Sequence, residues 1–285
     1  SWFATSATAV AQVHQAPAPT TPLAAVVVVS GSRVEHNSFD FPAAIDVVDA
    51  ERIRSGQLRV NASESLSAVP GLVARNRENY AQDLQISSRG FGARSAFGVR
   101  GVRLIADGIP ASMPDGQGQA ATFNLDMAER IEVLRGPFSA IYGNHSGGVI
   151  QLFTRDGAGR PSVESTLMGG SDGTYKVDVN AQGKSGGVAY VIDTSRFETD
   201  GYRDHSAARR DQSFAKLTVT PGDSSRLTLT ASSLEQDDTQ DPLGVTWATF
   251  RRDPRAGEID LTDTNEPKRT LAERYNTRKS TSHKQ

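Results

Sequence analysis

The chain has 285 residues, with 31 Lys and Arg against 33 Asp and Glu, a net charge of −2 and no cysteine. This length is enough for two ordinary domains, and the near balance of charge excludes a global field that would recruit nucleic acid or other polyanions. Disulfides and thiolate metal sites are excluded too, and the 5 histidines contain no H-x-x-x-H pair, so no metal site is predicted.

The N-terminal residues have the composition of an export signal. The stretch "SWFATSATAVAQ" is small and apolar and places Ala9-Val10-Ala11 as an A-x-A cleavage site before Gln12. The positively charged start of such a signal is missing, so we interpret it as a remnant. Residues 12–22 are rich in Pro, Ala and Thr, which predicts an extended linker. We therefore assign residues 1–22 to signal remnant and linker.

A short β-prone run follows within residues 23–39. It comprises Val26, Val27, Val28, Val29 and Ser30. Next to a flexible linker, such a run is suited to strand addition at the sheet edge of a partner protein. On pattern alone, an ordinary first strand of the following domain is an equally good interpretation.

Residues 40–156 are predicted to form a compact α+β unit. Asp49 caps a short helix that Gly56 ends, and Asn61 with Glu64 three residues later forms a capping box for a second helix, ended by Pro70. Strands are predicted at 43–48, 84–88, 102–106, 131–134 and 149–154. Two Gly/Pro-rich loops, 89–101 and 107–119, are too long to be simple connectors, and such loops usually carry function.

The stretch "RGPFSAIYGNHSGGVIQLF" at 135–153 is rich in glycine but matches neither phosphate-loop pattern. A nucleophile elbow is also excluded, because the position two residues before Ser146 is Asn144 and not glycine. Pro137 and Gly143 are typical of the first turn and the end of a short helix, so a tight corner leading into a strand is predicted. Structural glycines are expected at Gly90, Gly136, Gly143, Gly147 and Gly148.

Residues 157–285 have a different pattern. Polar and apolar residues alternate with period two at 162–168, 175–182, 187–197, 213–220 and 225–232, which predicts about five strands. Connections are tight at one end of these strands and long and charged at the other, as in outer-membrane barrels. A soluble β-sandwich has the same alternation and remains the alternative.

Together these segments resemble the TonB-dependent outer-membrane receptors. The resemblance lies in "VVVVSGSR" (26–33), "ESLSAVPGL" (64–72), "ISSRGFG" (86–92), "VRLIADGIP" (102–110), "AERIEVLRGPFSAIYG" (128–143) and "SGGVIQLFT" (146–154). It implies an α+β plug domain followed by the first antiparallel strands of a transmembrane β-barrel. The location implied is the cell outer membrane of a Gram-negative bacterium.

The resemblance also implies a function. In that family the plug fills the barrel lumen, apical loops bind a scarce solute, and periplasmic TonB pulls on a box near the N-terminus to open a path. We therefore expect a transporter and not an enzyme, with no cofactor of its own. Expected partners are TonB, a small-molecule or ferric-complex substrate, outer-membrane lipid and the barrel assembly machinery. The two loops resemble a subgroup that includes the importer of the quinone cofactor pyrroloquinoline quinone.

Three groups of site residues follow from the resemblance. The TonB box is expected within Val26–Ser30. Arg89 and Arg135 correspond to two plug arginines that lock onto barrel glutamates, a pairing to which the guanidinium fork is suited. Solute contacts are expected from Phe91, Arg94, Ser95, Phe97, Met113, Asp115 and Gln117.

Length leads to a further expectation. A plugged transporter has about 22 strands of about 10 residues each, more than residues 156–285 can provide. We therefore expect a truncated barrel. Two other functions stay open: a signalling receptor of the same family, and a soluble periplasmic binding or hydrolytic module in which His145 and Ser146 would act.

Overall fold

The computed structural model describes residues 5–7, 28–29, 36–37, 44–75, 78–95, 98–112, 116–136, 142–143, 145–222, 224–257 and 277–284. For 5–7, 28–29, 36–37 and 277–284 only the backbone is described. In these ranges the strands form one five-stranded sheet, one seven-stranded sheet and two short pairs.

In chain order the strands are β1 (Thr5–Ala7), β2 (Val28–Val29), β3 (His36–Asn37), β4 (Ala44–Asp49), β5 (Leu72–Arg75), β6 (Gln85–Ser88), β7 (Val102–Ala106), β8 (Ile109–Pro110), β9 (Ala128–Arg135), β10 (Gly148–Thr154), β11 (Ser162–Gly169), β12 (Tyr175–Ser185), β13 (Val188–Thr199), β14 (Ala208–Gly222), β15 (Ser225–Thr239) and β16 (Thr277–Lys284). The helices are α1 (Ala50–Arg54), α2 (Ala62–Leu66) and α3 (Trp247–Arg252), with a 3-10 turn at Ala120–Thr122.

The five-stranded sheet organises residues 44–154, which we call the plug unit. Its strand order is β4-β9-β10-β7-β8, and only β7 and β10 run parallel. Both helices pack on one face of this sheet, where Ile53, Leu66, Leu104, Ile131 and Ile150 are fully buried. The predicted strands are all present, and the one predicted at 131–134 extends in both directions to become β9.

The two helix starts form as predicted. The side chain of Asp49 accepts a hydrogen bond from the backbone N–H of Arg52 at 2.8 Å. The carboxylate of Glu64 accepts from the backbone N–H of Asn61 at 2.7 Å, so the capping box is confirmed. These caps satisfy N–H groups that have no partner in the first helical turn.

The glycine-rich corner before β10 is formed by a close backbone approach. At Gly148, φ is +115°, and a Cβ there would lie 2.1 Å from the carbonyl oxygen of Leu134 on the neighbouring strand. A Cβ at Gly147 would lie 2.7 Å from the carbonyl oxygen of Gly101. Only glycine fits at these two positions, which explains two of the structural glycines. The helical turn predicted to begin at Pro137 lies outside the described residues.

The seven-stranded sheet has the order β1-β11-β12-β13-β14-β15-β16, with every neighbour antiparallel. We call its strands β11–β15 the wall sheet. They overlap the five alternating segments of the sequence, although β14 begins five residues before its segment and β15 ends seven residues after its segment. Two further strands lie at the edges of this sheet. β16 pairs with β15, and β1, in the segment that was assigned to signal remnant and linker, pairs with β11.

The two faces of the wall sheet have the opposite arrangement to that in a soluble protein: the buried face is polar and the exposed face is apolar. The face toward the plug unit buries charged side chains, such as Lys176 at 3% and Asp193 at 1% exposure. The opposite face exposes large apolar side chains, including Val163 at 75% and Ile192 at 54%. A β-sandwich buries its apolar face, so the sandwich alternative is wrong, and the pattern is that of a barrel wall with a polar lumen.

Small apolar contacts join the two units. Met127 of the plug unit packs with Val191 and Phe214 of the wall sheet, and Val60 packs with Phe197 and Ala208. We call this contact surface the seam. Within the described ranges, no helix is both long enough and apolar enough to cross a membrane.

Candidate functional site: the seam between plug and wall

Asp126 and Lys176 form a buried ion pair across the seam. The Lys176 Nζ atom of β12 donates to both carboxylate oxygens of Asp126, at 2.7 and 2.8 Å. The same ammonium group donates to the carbonyl oxygens of Leu58 and Arg59, at 2.9 and 3.1 Å. One wall cation is therefore surrounded by acceptors of the plug unit, as a buried ammonium requires.

Arg59 is the second cation on Asp126. Its Nε lies 3.1 Å from the Asp126 carboxylate, and its Nη2 lies 4.0 Å from that of Asp178 on the wall. The backbone of Arg59 has a φ of +60°, a conformation that residues other than glycine rarely adopt. Glu64 holds this backbone in place, because its carboxylate accepts the backbone N–H groups of both Arg59 and Val60, at 2.7 and 3.0 Å.

A second polar link lies beside the first. Asn124 donates from Nδ2 to Asp193 at 3.0 Å, while its Oδ1 accepts the backbone N–H of Met127 at 2.9 Å. The carboxylate oxygens of Asp126, Asp178 and Asp193 lie within 4.8 Å of one another. Three carboxylates at this spacing resemble a metal site, but Lys176 and Arg59 already supply the compensating positive charge.

Arg210 of β14 lies at the same level of the wall sheet as Lys176, because Phe197 of β13 pairs with both residues. Its guanidinium donates to the carbonyl oxygens of Val60, at 2.8 Å, and of Ala121, and to the side chain of Gln212 at 3.1 Å. Both carbonyl acceptors belong to the plug unit. A wall arginine therefore binds the plug backbone directly.

A cluster of ion pairs lies at the end of the seam that is near the tight turns of the wall sheet. Lys216 of β14 pairs with Asp156 at 2.8 Å and donates to the carbonyl oxygen of Thr154 at 3.2 Å. Arg226 also pairs with Asp156, at 2.7 Å. Burial opposes ionisation, but hydrogen bonds from Lys216 and Arg226 outweigh it and lower the pKa of Asp156. These pairs fix the chain where it passes from plug to wall.

At the opposite end of the seam, near the long connections, the loop after β15 is hydrogen-bonded to the plug unit. Asp241, which is buried, accepts hydrogen bonds from Asn79 Nδ2 and Gln82 Nε2, both at 2.8 Å. Tyr80 lies between these two residues and packs its ring 5.0 Å from that of Phe197 on β13. Residues 79–82 are thus held by the wall and by its loop together.

The two predicted lock arginines lie beside each other in the plug unit. Arg135 forms an ion pair with Asp46 and donates to the carbonyl oxygen of Pro70 at 2.6 Å. Arg89 is exposed, has a φ of +49°, and donates its backbone N–H to the carbonyl oxygen of Gly71 at 3.0 Å. Their pairing with barrel glutamates stays a prediction.

The predicted solute residues separate into three groups. Phe91, 49% exposed, and Arg94 are accessible. Ser95 is buried and donates its hydroxyl to the carbonyl oxygen of Gly98 at 3.0 Å, while Gln117 accepts from Arg100 at 3.3 Å, so both help to shape the loops. The remaining three, Phe97, Met113 and Asp115, lie outside the described residues, as do the side chains of the predicted TonB box.

His145 and Ser146 do not resemble a catalytic pair. Burial, together with the positive charge of Arg103, lowers the pKa of His145. A catalytic histidine is instead oriented by a carboxylate, which stabilises its positive charge.

The seam residues were not identified from sequence. Lys176, Asp178 and Asn180 were recognised as one polar strand face, but their plug partners were not. The available signal was Asn124 and Asp126 in "FNLDMAE", two polar residues that alternate with the apolar residues Phe123, Leu125 and Met127.

The geometry defines a plug unit docked on the polar face of barrel-wall strands, the architecture of a plugged outer-membrane receptor. Residues 37–149 match the family model described as the TonB-dependent receptor plug domain. The chain therefore carries the plug domain of the TonB-dependent receptors, the family that its sequence resembles.

Curated relatives agree with this assignment. The chain is 31% identical over 163 residues to the vitamin B12 transporter BtuB of Photobacterium profundum, covering 56% of this chain and 26% of that protein. It is 29% identical over 157 residues to a hemin receptor of Yersinia enterocolitica, covering 54% of this chain and 21% of that protein. The chain thus spans about a quarter of the length of these relatives.

Solved structures share the fold. The ferric yersiniabactin uptake receptor FyuA of Yersinia pestis superposes with a TM-score of 0.62 at 21% identity, over 79% of this chain and 36% of that one. The ferripyoverdine receptor of the outer membrane of Pseudomonas aeruginosa gives a TM-score of 0.60 at 18% identity, over 74% and 28%.

Proposed function

We propose that this chain forms the plug and the first wall strands of a receptor that imports a small, scarce solute across the outer membrane, driven by TonB. The seam carries this proposal. Lys176, Arg210 and Lys216 point from the wall into the lumen and are bound by carboxylates and carbonyl groups of the plug unit. A plug held by polar contacts separates from a wall more readily than one held by an apolar core, because water can solvate both surfaces.

The TonB box is proposed within Val26–Ser30. Strand β2 pairs with β3 over two residues only, Val28 with Asn37 and Val29 with His36. Because this pairing involves only two residues of each strand, little free energy is needed to break it. Strand β2 could then pair with the edge strand of a partner protein instead, which supports strand addition. The domain limits proposed are 23–39 for the box region, 40–156 for the plug and 157–285 for the wall.

A ferric complex is the favoured solute. Relatives of this chain are named as a hemin receptor and a ferrienterobactin receptor. Pyrroloquinoline quinone stays the alternative that the two loops suggested. Phe91 and Arg94 are proposed to contact the solute, because an exposed ring and a guanidinium can stack on a flat anion and bind it.

The remaining partners follow from the wall. Its exposed apolar face is proposed to contact outer-membrane lipid, and the barrel assembly machinery is proposed to insert its strands. Arg89 and Arg135 are proposed to meet carboxylates of wall strands beyond those described here.

Deletion of residues 26–30 tests energised import. Solute uptake is measured in cells that produce the complete receptor with and without the box, and deletion of residues 16–20 in the linker serves as the matched control. We expect uptake to be lost only in the box deletion. Uptake that persists without the box contradicts the proposal. Calorimetric titration with pyrroloquinoline quinone, ferric citrate and hydroxamate siderophores identifies the solute class.

A further inference from the structure

Asp178 of β12 and Asp193 of β13 form a buried pair of carboxyl groups on the face of the wall sheet that contacts the plug unit. Each residue is 1% exposed, and one carboxylate oxygen of each lies within 4.8 Å of the other and of one from Asp126. Among the described residues, none donates a hydrogen bond to either oxygen of Asp178 or to Oδ1 of Asp193. Buried polar atoms nearly always have such a partner, so this pair requires a donor.

The charges around the pair do not balance. Lys176 donates to both oxygens of Asp126, and the Nε atom of Arg59 lies 3.1 Å from the same carboxylate. Arg59 approaches Asp178 only at 4.0 Å, through Nη2. Three ionised carboxylates against these two cations leave one negative charge, which is costly to keep in a buried site.

The other neighbours of the pair are uncharged. From the plug unit, Asn124 donates its amide to Asp193 at 3.0 Å. Within the wall sheet, Phe214 of β14 lies opposite Asp193, and Thr166 of β11 lies opposite Asp178. None of these groups can supply the missing positive charge.

Four further cations of the seam have other contacts. Arg210 donates to plug carbonyl oxygens, Lys216 pairs with Asp156 at 2.8 Å, and Arg155 donates to the carbonyl oxygen of Asp126 at 3.2 Å. Arg54 and Arg155 form no ion pair with the three carboxylates among the residues described. A divalent metal ion would replace the excess negative charge by an excess positive one. A single proton restores the balance and also supplies a hydrogen-bond donor.

We propose that Asp178 and Asp193 bind one proton between them, and that docking of the plug unit creates this proton site. The O–H group formed on one carboxyl donates to the carboxylate of the other. The proton comes from water when the plug unit covers the pair, and it returns to water when the plug unit moves away and both carboxylates are solvated. Docking of plug and wall is therefore coupled to proton uptake, independently of TonB-driven import.

Infrared spectroscopy of the complete receptor in detergent detects the proton directly, because a protonated carboxyl group absorbs apart from ionised carboxylates. At neutral pH we expect a carboxyl band in wild type that is lost in Asp193→Asn and in Asp178→Asn. Asp200→Asn, at an exposed carboxylate directly after β13, should retain the band. A band that persists in either pair variant overturns the inference. So does a wild-type band that appears only when sodium is removed, because a metal ion would then occupy the site.

The pH dependence of stability gives a second readout. Above about pH 5 the unfolded chain ionises both carboxylates, whereas the folded receptor keeps one proton. The pair therefore lowers the ratio of folded to unfolded receptor about tenfold for each unit of pH increase, until the folded pair loses its proton.

Asp193→Asn should remove this contribution, because asparagine carries no charge but can still accept from Asn124. Other groups titrate alike in both proteins, so the difference between their pH profiles belongs to the pair. Denaturant unfolding in detergent measures it, with Asp200→Asn as the control that keeps the wild-type profile. Parallel profiles for wild type and Asp193→Asn overturn the inference. If uptake does not require residues 26–30, the proposed function fails while the proton site stands.

Discussion

Lys176 and Asp126 form a buried ion pair at 2.7 Å that joins the wall to the plug, with side-chain exposures of 3% and 1%. The lysine is provided by a strand whose outward neighbours Tyr175 and Val177 are exposed, so the pair lies on the lumen side of the wall. Plug and wall are therefore joined by a buried pair of charges, together with apolar contacts such as that of Met127.

Removing the lysine should destabilise the complete receptor. Lys176→Met leaves Asp126 buried with Arg59 as its remaining ion-pair partner, and we expect a loss of about 3–5 kcal/mol in unfolding free energy. Lys184→Met, at an exposed position on the same strand, is the control. Thermal unfolding in detergent measures both. The double variant Lys176→Met with Asp126→Leu should recover much of the loss, and a double variant as unstable as the single one would contradict this assignment.

Gly148→Ala should disrupt the corner that leads into β10. The added Cβ would lie 2.1 Å from the Leu134 carbonyl oxygen, and a φ of +115° is strained for alanine. Gly159→Ala is matched because its φ is also positive, at +64°, and its Cβ would contact nothing. We expect a cost of about 1 kcal/mol for the control and a severe loss of folded receptor for Gly148→Ala, scored by outer-membrane accumulation. Equal accumulation would contradict the close approach.

Asp241→Ala should release the plug segment 79–82 from the wall loop. The change removes the acceptor of both Asn79 and Gln82, so amide hydrogen exchange in this segment should accelerate. Asp204→Ala, at an exposed carboxylate of the neighbouring loop, serves as the control. Unchanged exchange at 79–82 would mean that these hydrogen bonds do not hold the segment.

The titration of His145 makes the free energy of unfolding depend on pH, and the lowered pKa fixes the sign of that dependence. Its pKa is lowered in the folded state, so the unfolded chain binds a proton more readily. The stabilising contribution is full above the unfolded pKa of about 6.5 and is lost as pH falls toward the folded pKa. Wild type should lose more stability between pH 8 and pH 5 than His145→Gln does. Parallel pH profiles for the two proteins would exclude this role.

Local signals in the sequence were sufficient for much of the fold. The caps at Asp49 and Glu64 act within three or four residues, and period-two alternation depends only on neighbouring positions, so helices and wall strands were predictable. Asp126 and Lys176 are 50 residues apart, and Arg135 and Asp46 are 89 apart, so these pairs depend on strand register and on docking. That information does not reside in any local pattern, which is why the seam was missed while the units on either side of it were found.

Strand β4 lies at the edge of the plug sheet and pairs with β9 alone, from Ala44 with Arg135 to Asp49 with Arg130. The opposite end of the plug is fastened through Asp156 to Lys216 and Arg226. Strand β4 is therefore held to the sheet by one ladder of hydrogen bonds and by the Asp46–Arg135 ion pair, and both can open without separating β9 from β10. A pull from the N-terminal side would therefore act first on an edge strand, while the far end of the plug stays fastened to the wall.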